Sequence, residues 1–156
     1  MHTPRQQEPL EIRLANRTGP PAIIQLLLRD SLSHLSQQAG PNDEQLCAFD
    51  RIAVCPDNQI VVATVRGDVV ATLQLTFIPG LTHRGGWRAQ VEAVRVREDL
   101  RDQGIGTRLM EWVIGRARER DCRLVQLTTN RARLDAHRFY ERLGFTPSHV
   151  GMKLYL

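Results

Sequence analysis

Residues 101–110 read Arg-Asp-Gln-Gly-Ile-Gly-Thr-Arg-Leu-Met, and they join an apolar strand, Val91–Val96, to an amphipathic helix. Gly104 and Gly106 remove side chains from the turn, which leaves several backbone N–H groups at the start of the helix without intrahelical partners. Because the partial positive charges of these groups add up at a helix N-terminus, the turn favours an anion such as phosphate or diphosphate. The sequence therefore predicts a phosphorylated ligand at this turn.

Three phosphate-binding motifs compete for this stretch. A dinucleotide-binding fingerprint requires a third glycine where Leu109 stands, and it belongs to the first strand–helix unit of a chain. A P-loop requires Gly-Lys-Ser/Thr, which the stretch lacks. The shorter motif Arg-x-x-Gly-x-Gly is intact at residues 101–106. Taken alone, this hexamer fits a plain glycine-bearing helix start as well as it fits a diphosphate site.

Hydrophobic periodicity on both sides of the turn predicts ten elements. In chain order these are strand 10–15, helix 22–33, helix 43–54 capped by Asn42, strand 60–66, strand 69–78, strand 87–96, helix 104–119, strand 124–129, helix 132–143 and strand 149–155. Strands 60–66 and 69–78 form a hairpin whose two-residue loop is Gly67-Asp68. The order β-α-α-β-β-β-α-β-α-β predicts an α/β (α+β) fold with a mixed sheet. Residues 1–8 form a loose polar lead-in, and residues 9–156 form a single domain.

Composition excludes several classes of function. The formal net charge of +4 favours anionic ligands, but acidic residues interrupt the arginines, so no basic stripe is available for nucleic acid. Three cysteines without CxxC spacing indicate a reducing, cytoplasmic environment. The first residues have no apolar signal-peptide region, and no apolar run approaches the roughly 20 residues that a membrane span needs. The histidines lack metal-ligand spacing, so no metal is expected.

Two motifs together carry a family resemblance. The strand Val91–Val96 followed by 101–106 is similar to the cofactor motif of GNAT-type N-acetyltransferases. Residues 136–145, Ala-His-Arg-Phe-Tyr-Glu-Arg-Leu-Gly-Phe, resemble the second motif of that family and follow at the expected separation. The resemblance extends from Ile60 to the end of the chain, whereas residues 1–58 agree only in the order of elements.

The resemblance implies a GNAT-like mixed central sheet with splayed central strands, helices on both faces, and acetyl-CoA as cofactor. The diphosphate would lie on the backbone N–H groups of the turn, with Arg101 nearby; the residues of this cradle are Gln103, Gly104, Ile105, Gly106 and Thr107. The pantetheine amides would pair with the backbone of Val94 and Val96 along the open strand edge. Asn130, at the end of the next strand, would hydrogen-bond the cofactor.

The same resemblance implies a chemistry of direct attack by a neutral amine on the thioester. The Val94 N–H would stabilise the oxyanion, and Tyr140 would protonate the departing thiolate. Without the motif, Tyr140 would read as a core aromatic residue. Glu92 is the candidate base, acting directly or through water; a water chain alone is the alternative.

The acceptor is predicted to be a primary amine on a small molecule or a peptide. Its pocket would be formed by residues 20–55 and 79–90, where Arg84 and Trp87 are weak candidates for contact. The family resemblance also suggests a homodimer. Two rival hypotheses are a non-catalytic acyl-CoA-binding sensor module and a nucleotide-binding oxidoreductase, in which NAD(H) would displace coenzyme A.

Overall fold

The strands predicted between residues 60 and 96 form the centre of a five-stranded sheet in a computed structural model that describes residues 9–29 and 40–156. The strands follow chain order across the sheet: β1 (Leu10–Leu14), β2 (Asn58–Val65), β3 (Asp68–Ile78), β4 (Trp87–Val96) and β5 (Cys122–Leu127). Strands β1 to β4 are antiparallel, and β5 runs parallel to β4. The predicted mixed sheet is therefore confirmed.

Five helices accompany the sheet in the described part of the chain. They are α1 (Pro20–Arg29), α2 (Asp43–Ala53), the short α3 (Thr82–Gly85), α4 (Ile105–Glu119) and α5 (Leu134–Arg142), together with a 3₁₀ turn at Glu98–Leu100. The prediction missed α3 and the 3₁₀ turn. The predicted lead-in 1–8 and the end of the first predicted helix, at Ser33, lie outside the described residues. Asn42 caps α2 as predicted, since its side chain accepts from the Gln45 N–H while the Gln45 side chain accepts from the Asn42 N–H.

The hairpin loop is one residue earlier than predicted. Val65 pairs with Asp68, so the two loop residues are Arg66 and Gly67 rather than Gly67 and Asp68. Both loop residues have positive φ, 52° and 85°, as a tight hairpin turn with the right-handed strand twist requires. The glycine was correctly assigned to the turn, but the sequence did not show which of its two neighbours joins it there.

Helices cover both faces of the sheet. Val61 and Val62 are adjacent on β2, so their side chains point to opposite faces. Val61 packs in the core that contains Leu109 and Val113 of α4, and Val62 packs with Ile23 of α1 and Phe49 of α2. These two apolar layers confirm the predicted arrangement of helices on both faces.

A bulge interrupts β4 close to the point where its pairing with β5 ends. Thr72 pairs with Arg95 and Gln74 pairs with Glu92, so two residues of β4 oppose one residue of β3 at this point. Ala93, inside the bulge, has φ +53°. The pairing with β5 ends at Val91 and Leu127. Beyond Val91, the edge of β4 that faces β5 therefore carries no paired strand among the described residues, as the predicted splay requires.

The prediction of a last strand at 149–155 is wrong. Residues 149–156 form no strand, and the side chains of Val150, Met152 and Leu154 are 70%, 92% and 87% exposed. The alternation of apolar residues indicates which face a strand would bury, but it does not supply a partner strand. Along the described chain, no strand pairs with this segment.

The left-handed conformation of Ala93 predicts an unusual effect of glycine. We expect Ala93→Gly to raise the free energy of unfolding by about 0.5–1 kcal/mol, because glycine adopts positive φ without steric cost. The matched control is Ala89→Gly in the same strand, where the alanine is fully buried. This control should lower the free energy of unfolding by about 1–2 kcal/mol. Urea denaturation of both variants measures the difference, and destabilisation by Ala93→Gly would contradict this account of the bulge.

Candidate active site

Helix α4 begins without a side-chain cap. Gly104 occupies the N-cap position with φ +79°, and within the described part of the chain no side chain hydrogen-bonds there to cap the helix. Ile105, buried at 8% exposure, anchors the first turn in the core. The Arg108 N–H donates to the Gly104 carbonyl at 3.0 Å, so regular helical bonding begins only at that residue. The first N–H groups of α4 therefore keep the donor capacity that the sequence predicts.

The two glycines of the turn serve different purposes. Gly104 needs its positive φ, although a Cβ there would meet no atom within 4 Å. At Gly106, in contrast, a Cβ would lie 3.3 Å from the Phe139 ring and 3.7 Å from Cγ2 of Val96. Gly106 therefore permits α4 to approach both α5 and the end of β4. The two family-like motifs meet at this contact.

Side chains of the loop between β4 and α4 turn back to the loop's own backbone. The Arg101 Nε–H donates to the Val96 carbonyl at 3.3 Å, and the Gln103 side-chain amide donates to the Asp99 carbonyl at 3.2 Å. The predicted binding residues Arg101 and Gln103 thus brace the turn. A cavity of about 650 Å³ adjoins this loop, and it is lined by Leu26, Arg29, Val96, Arg97, Glu98, Asp99 and Arg101.

Tyr140 lies in an aromatic cluster on α5. Its ring centroid is 5.1 Å from that of Phe139 and 5.9 Å from that of Phe145, both in edge-to-face geometry. Burial raises the pKa of the Tyr140 phenol, and the positive charges of Arg133 and Arg95 partly oppose this increase. The hydroxyl therefore remains protonated near neutral pH and is available as a proton donor.

Glu92 lies on the stretch of β4 that continues after the pairing with β5 has ended. It pairs with Gln74 of β3, directly before the bulge, and its side chain is exposed. Val94 and Val96 follow on the same strand and are partly buried against the α4 side of the core. Glu92 is thus open to solvent on the strand that carries the predicted backbone contacts, and it lies two residues before Val94.

Asn130 organises the turn between β5 and α5. Its Oδ1 accepts from the Ala132 N–H at 2.9 Å, and its carbonyl accepts from the Arg133 N–H at 3.0 Å. The same carbonyl lies 3.0 Å from Nε2 of His137, which must carry the proton because a carbonyl only accepts. The sequence did not predict this bond of His137. Its partner is seven residues away, and no motif marks the pair.

The predicted acceptor segments are only partly described, because residues 30–39 lie outside the structure's description. In α3, His83 and Arg84 both have positive φ, 51° and 59°. Trp87 packs against Arg120, whose guanidinium carbon lies 5.3 Å from the Trp87 ring centroid and 4.7 Å from that of Phe77. Trp87 is therefore engaged in a cation–π contact at the start of β4.

The described residues contain neither a metal-ligand cluster nor a helix suited to a bilayer. Within 9–29 and 40–156, no group of three or more His, Cys, Asp or Glu side chains could hold a metal ion. In the same residues, none of the helices combines the length and apolarity that crossing a bilayer requires.

Comparison with known proteins gave consistent matches. A profile of the acetyltransferase (GNAT) family matches residues 29–145. The chain is 35% identical over 128 residues to an aminoalkylphosphonate N-acetyltransferase from Salmonella typhimurium (strain LT2), a match that covers 82% of this chain and 77% of that protein.

Solved structures have the same architecture. The crystal structure of a transcriptional regulator from Bacillus halodurans C-125 is 38% identical, with a TM-score of 0.86 over 95% of this chain and 100% of that chain. The glucosamine-6-phosphate N-acetyltransferase from Arabidopsis thaliana is 21% identical, with a TM-score of 0.79 over 95% of this chain and 99% of that chain. The second match, at this low identity, bears on the fold alone.

Proposed function

Because the chain belongs to the acetyltransferase (GNAT) family, we propose that it transfers the acetyl group of acetyl-CoA to a primary amine by direct attack on the thioester. Acyltransferase activity follows from the family and from the N-acetyltransferase relative; the cofactor and the mechanism are our proposal. The observation that supports this proposal is that the open edge of β4 is followed, after residues 97–102, by the N-terminus of α4, which has no side-chain cap among the described residues. These two features offer backbone hydrogen bonds to a ligand that has both amides and phosphates.

The chain fits coenzyme A at the α4 turn. The N–H groups of residues 103–107 would receive the diphosphate. Gly104 is exposed and a Cβ there would meet no atom within 4 Å, while Gly106 lets the first turn of α4 pack against Phe139 and Val96. Arg101 contributes positive charge close to this turn, and the Thr107 hydroxyl is a further donor. The partial positive charge at the N-terminus of α4 also favours the dianionic diphosphate.

The pantetheine arm would bind along β4. Its amides would pair with the backbone of Val94 and Val96, because the edge of β4 past Val91 has no strand on it among the described residues. The side chains of Arg95 and Arg101 donate to the carbonyls of these two valines, and the pantetheine amides would replace them there. Asn130 lies on the other side of the opening, after the end of β5, and its side-chain NH₂ would donate to the cofactor. The valine side chains themselves contribute to the core.

Acetyl-CoA supplies the activated acyl group, and the chain's residues handle protons and charge. When the amine nitrogen bonds to the acyl carbon, the Val94 N–H would donate to the oxygen that gains negative charge. When the carbon–sulfur bond breaks, the Tyr140 hydroxyl would give its proton to sulfur. The proton lost by the amine would go to Glu92, directly or through water. The raised pKa of Tyr140 suits this role, since the phenol is fully protonated at neutral pH.

Tyr140→Phe tests the assignment of the proton donor. We expect kcat to fall about tenfold to 1000-fold, with the Kd for coenzyme A unchanged within about twofold, because the hydroxyl acts on the leaving sulfur. Thiol release measures kcat, and calorimetry measures the Kd. Tyr155→Phe is the matched control, since Tyr155 is 86% exposed and is the other tyrosine in the chain. Equal kcat in Tyr140→Phe and the wild type would contradict the role of Tyr140.

The acceptor amine is proposed to carry an anionic group. The relative named as an aminoalkylphosphonate N-acetyltransferase suggests this class. The charges of Arg95 and Arg133 act on the Tyr140 hydroxyl, so the proposed reaction centre has cations that would attract a phosphonate. A peptide amine remains the other acceptor class.

An amine panel tests the acceptor class and also the rival function. We expect kcat/KM for an aminoalkylphosphonate to exceed that of the amino alcohol of equal chain length by about tenfold or more, because charge-assisted hydrogen bonds add to binding. Equal values would contradict an anionic acceptor.

The Bacillus halodurans relative is named as a transcriptional regulator, which favours the alternative of a non-catalytic acyl-CoA-binding sensor. Tight binding of coenzyme A without thiol release for any amine would support that alternative.

We also propose a homodimer, supported by the exposed apolar residues of the C-terminal segment. Val150, Met152 and Leu154 alternate along this segment and are each at least 70% exposed. A second copy of the chain would shield this surface. Light scattering should give twice the monomer mass of 17.7 kDa, and Met152→Glu combined with Leu154→Glu should shift the protein to the monomer. A monomer for the wild type at micromolar concentration would contradict the dimer.

A further inference from the structure

The connection between β4 and α4 contains an ion pair that the proposed reaction does not use. The Arg97 guanidinium forms two hydrogen bonds with Asp99: Nε to Oδ1 at 2.7 Å and a terminal nitrogen to Oδ2 at 3.1 Å. Such a forked pair fixes both side chains more strictly than a single contact does. The hydrogen bond from Arg97 lowers the pKa of the Asp99 carboxyl, so the carboxylate is ionised throughout the neutral range.

Arg97 is itself held by the sheet. Its backbone N–H donates to the Val70 carbonyl of β3 at 2.8 Å, which extends the pairing of β4 by one residue. Its carbonyl accepts from the Leu100 N–H at 3.0 Å and thereby closes the 3₁₀ turn. Leu100 packs against the main core. Asp99 is therefore held by a side chain whose own backbone is fixed.

Asp99 also forms a hydrogen bond with the turn at residues 103–107. Its carbonyl accepts from the side-chain amide of Gln103 at 3.2 Å, and Gln103 directly precedes Gly104 at the start of α4. A continuous path of hydrogen bonds therefore runs from the sheet through Arg97 and Asp99 to Gln103. Asp102, directly before Gln103, has φ +60° although it is not a glycine, so the turn holds a disfavoured backbone conformation that benefits from support.

We propose that Arg97 and Asp99 are a positioning pair, which holds the turn at 103–107 in the conformation that binds the diphosphate of coenzyme A. The inference rests on the proposed function, since it assigns the pair to the same cofactor site. Neither residue needs to touch the cofactor. The pair acts by lowering the conformational freedom that the turn would otherwise lose on binding.

A direct role for Arg97 as a phosphate ligand makes the opposite prediction for Asp99. If the guanidinium bound the diphosphate, then Asp99 would compete for it. Removal of the carboxylate charge would release the arginine and tighten binding of the anionic cofactor. If the pair positions the turn, the same substitution breaks the fork and weakens binding, even though it removes a repulsive negative charge.

Asp99→Asn is therefore the decisive variant, and Glu98→Gln is its matched control. Both substitutions remove one negative charge, at adjacent exposed residues that line the same cavity. For Asp99→Asn we expect the Kd for coenzyme A to rise about three- to fivefold, the scale of an exposed but well-oriented ion pair. For Glu98→Gln we expect an unchanged or lower Kd. The KM for acetyl-CoA should follow the Kd, while kcat at saturation and the Tm of the free protein change little.

A double-mutant cycle completes the test. Arg97→Met combined with Asp99→Asn should weaken coenzyme A binding no more than the larger single effect, because either substitution alone breaks the pair. Tighter binding by Asp99→Asn would overturn the inference in favour of direct contact by Arg97. Additive losses in the double variant would overturn it as well, because they would show that the two residues act independently. Failure of the wild-type chain to bind coenzyme A would instead overturn the proposed function, so the two failures are distinguishable.

Discussion

The proposed site depends on one constraint: backbone N–H and C=O groups need hydrogen-bond partners, and this fold leaves some of them for a ligand. Buried or ordered N–H and C=O groups require partners, and regular structure normally supplies them. Here β4 loses its pairing with β5 after Val91, while α4 starts at Gly104 without a side-chain cap. Only residues 97–102 separate the two stretches of backbone along the chain. Together they suit one elongated ligand with amides along its length and a diphosphate at one end.

Local conformations create this opening, and the surrounding core maintains it. The bulge at Ala93 changes the course of β4 in the region where β5 stops pairing with it. Gly106 permits α4 to lie against Phe139 and Val96, which brings the helix carrying Tyr140 close to the end of β4. In our proposal, the hydrogen bonds between Arg97 and Asp99 help to fix the conformation of the turn at residues 103–107. The fold therefore sets the exposed carboxylate of Glu92 on the strand with the open edge, and it packs the helix that carries the Tyr140 phenol near the end of that strand.

Much of the architecture could be predicted because its signals are local. Periodicity located β4 to the residue, and Asn42 was readable as the cap of α2, whereas the reciprocal bond from Gln45 became evident only in the structure. The family-like motifs predicted the splayed strands, and the structure shows a bulge in β4 next to the point where its pairing with β5 ends. The predicted hairpin loop was wrong by one residue because Arg66 adopts positive φ, a conformation that the residue type does not indicate. The last predicted strand failed because an alternating pattern cannot report whether an edge is available for it. The bond from His137 to the Asn130 carbonyl and the fork between Arg97 and Asp99 depend on geometry that only the folded chain supplies.

The most direct test of the central claim is a crystal structure of the chain with coenzyme A. The account predicts diphosphate oxygens within about 3 Å of the backbone nitrogens of residues 103–107, the usual length of such a hydrogen bond. It also predicts pantetheine amides paired with the backbone of Val94 and Val96. Coenzyme A bound at another surface, or a turn whose N–H groups are filled by the protein's own side chains, would contradict it.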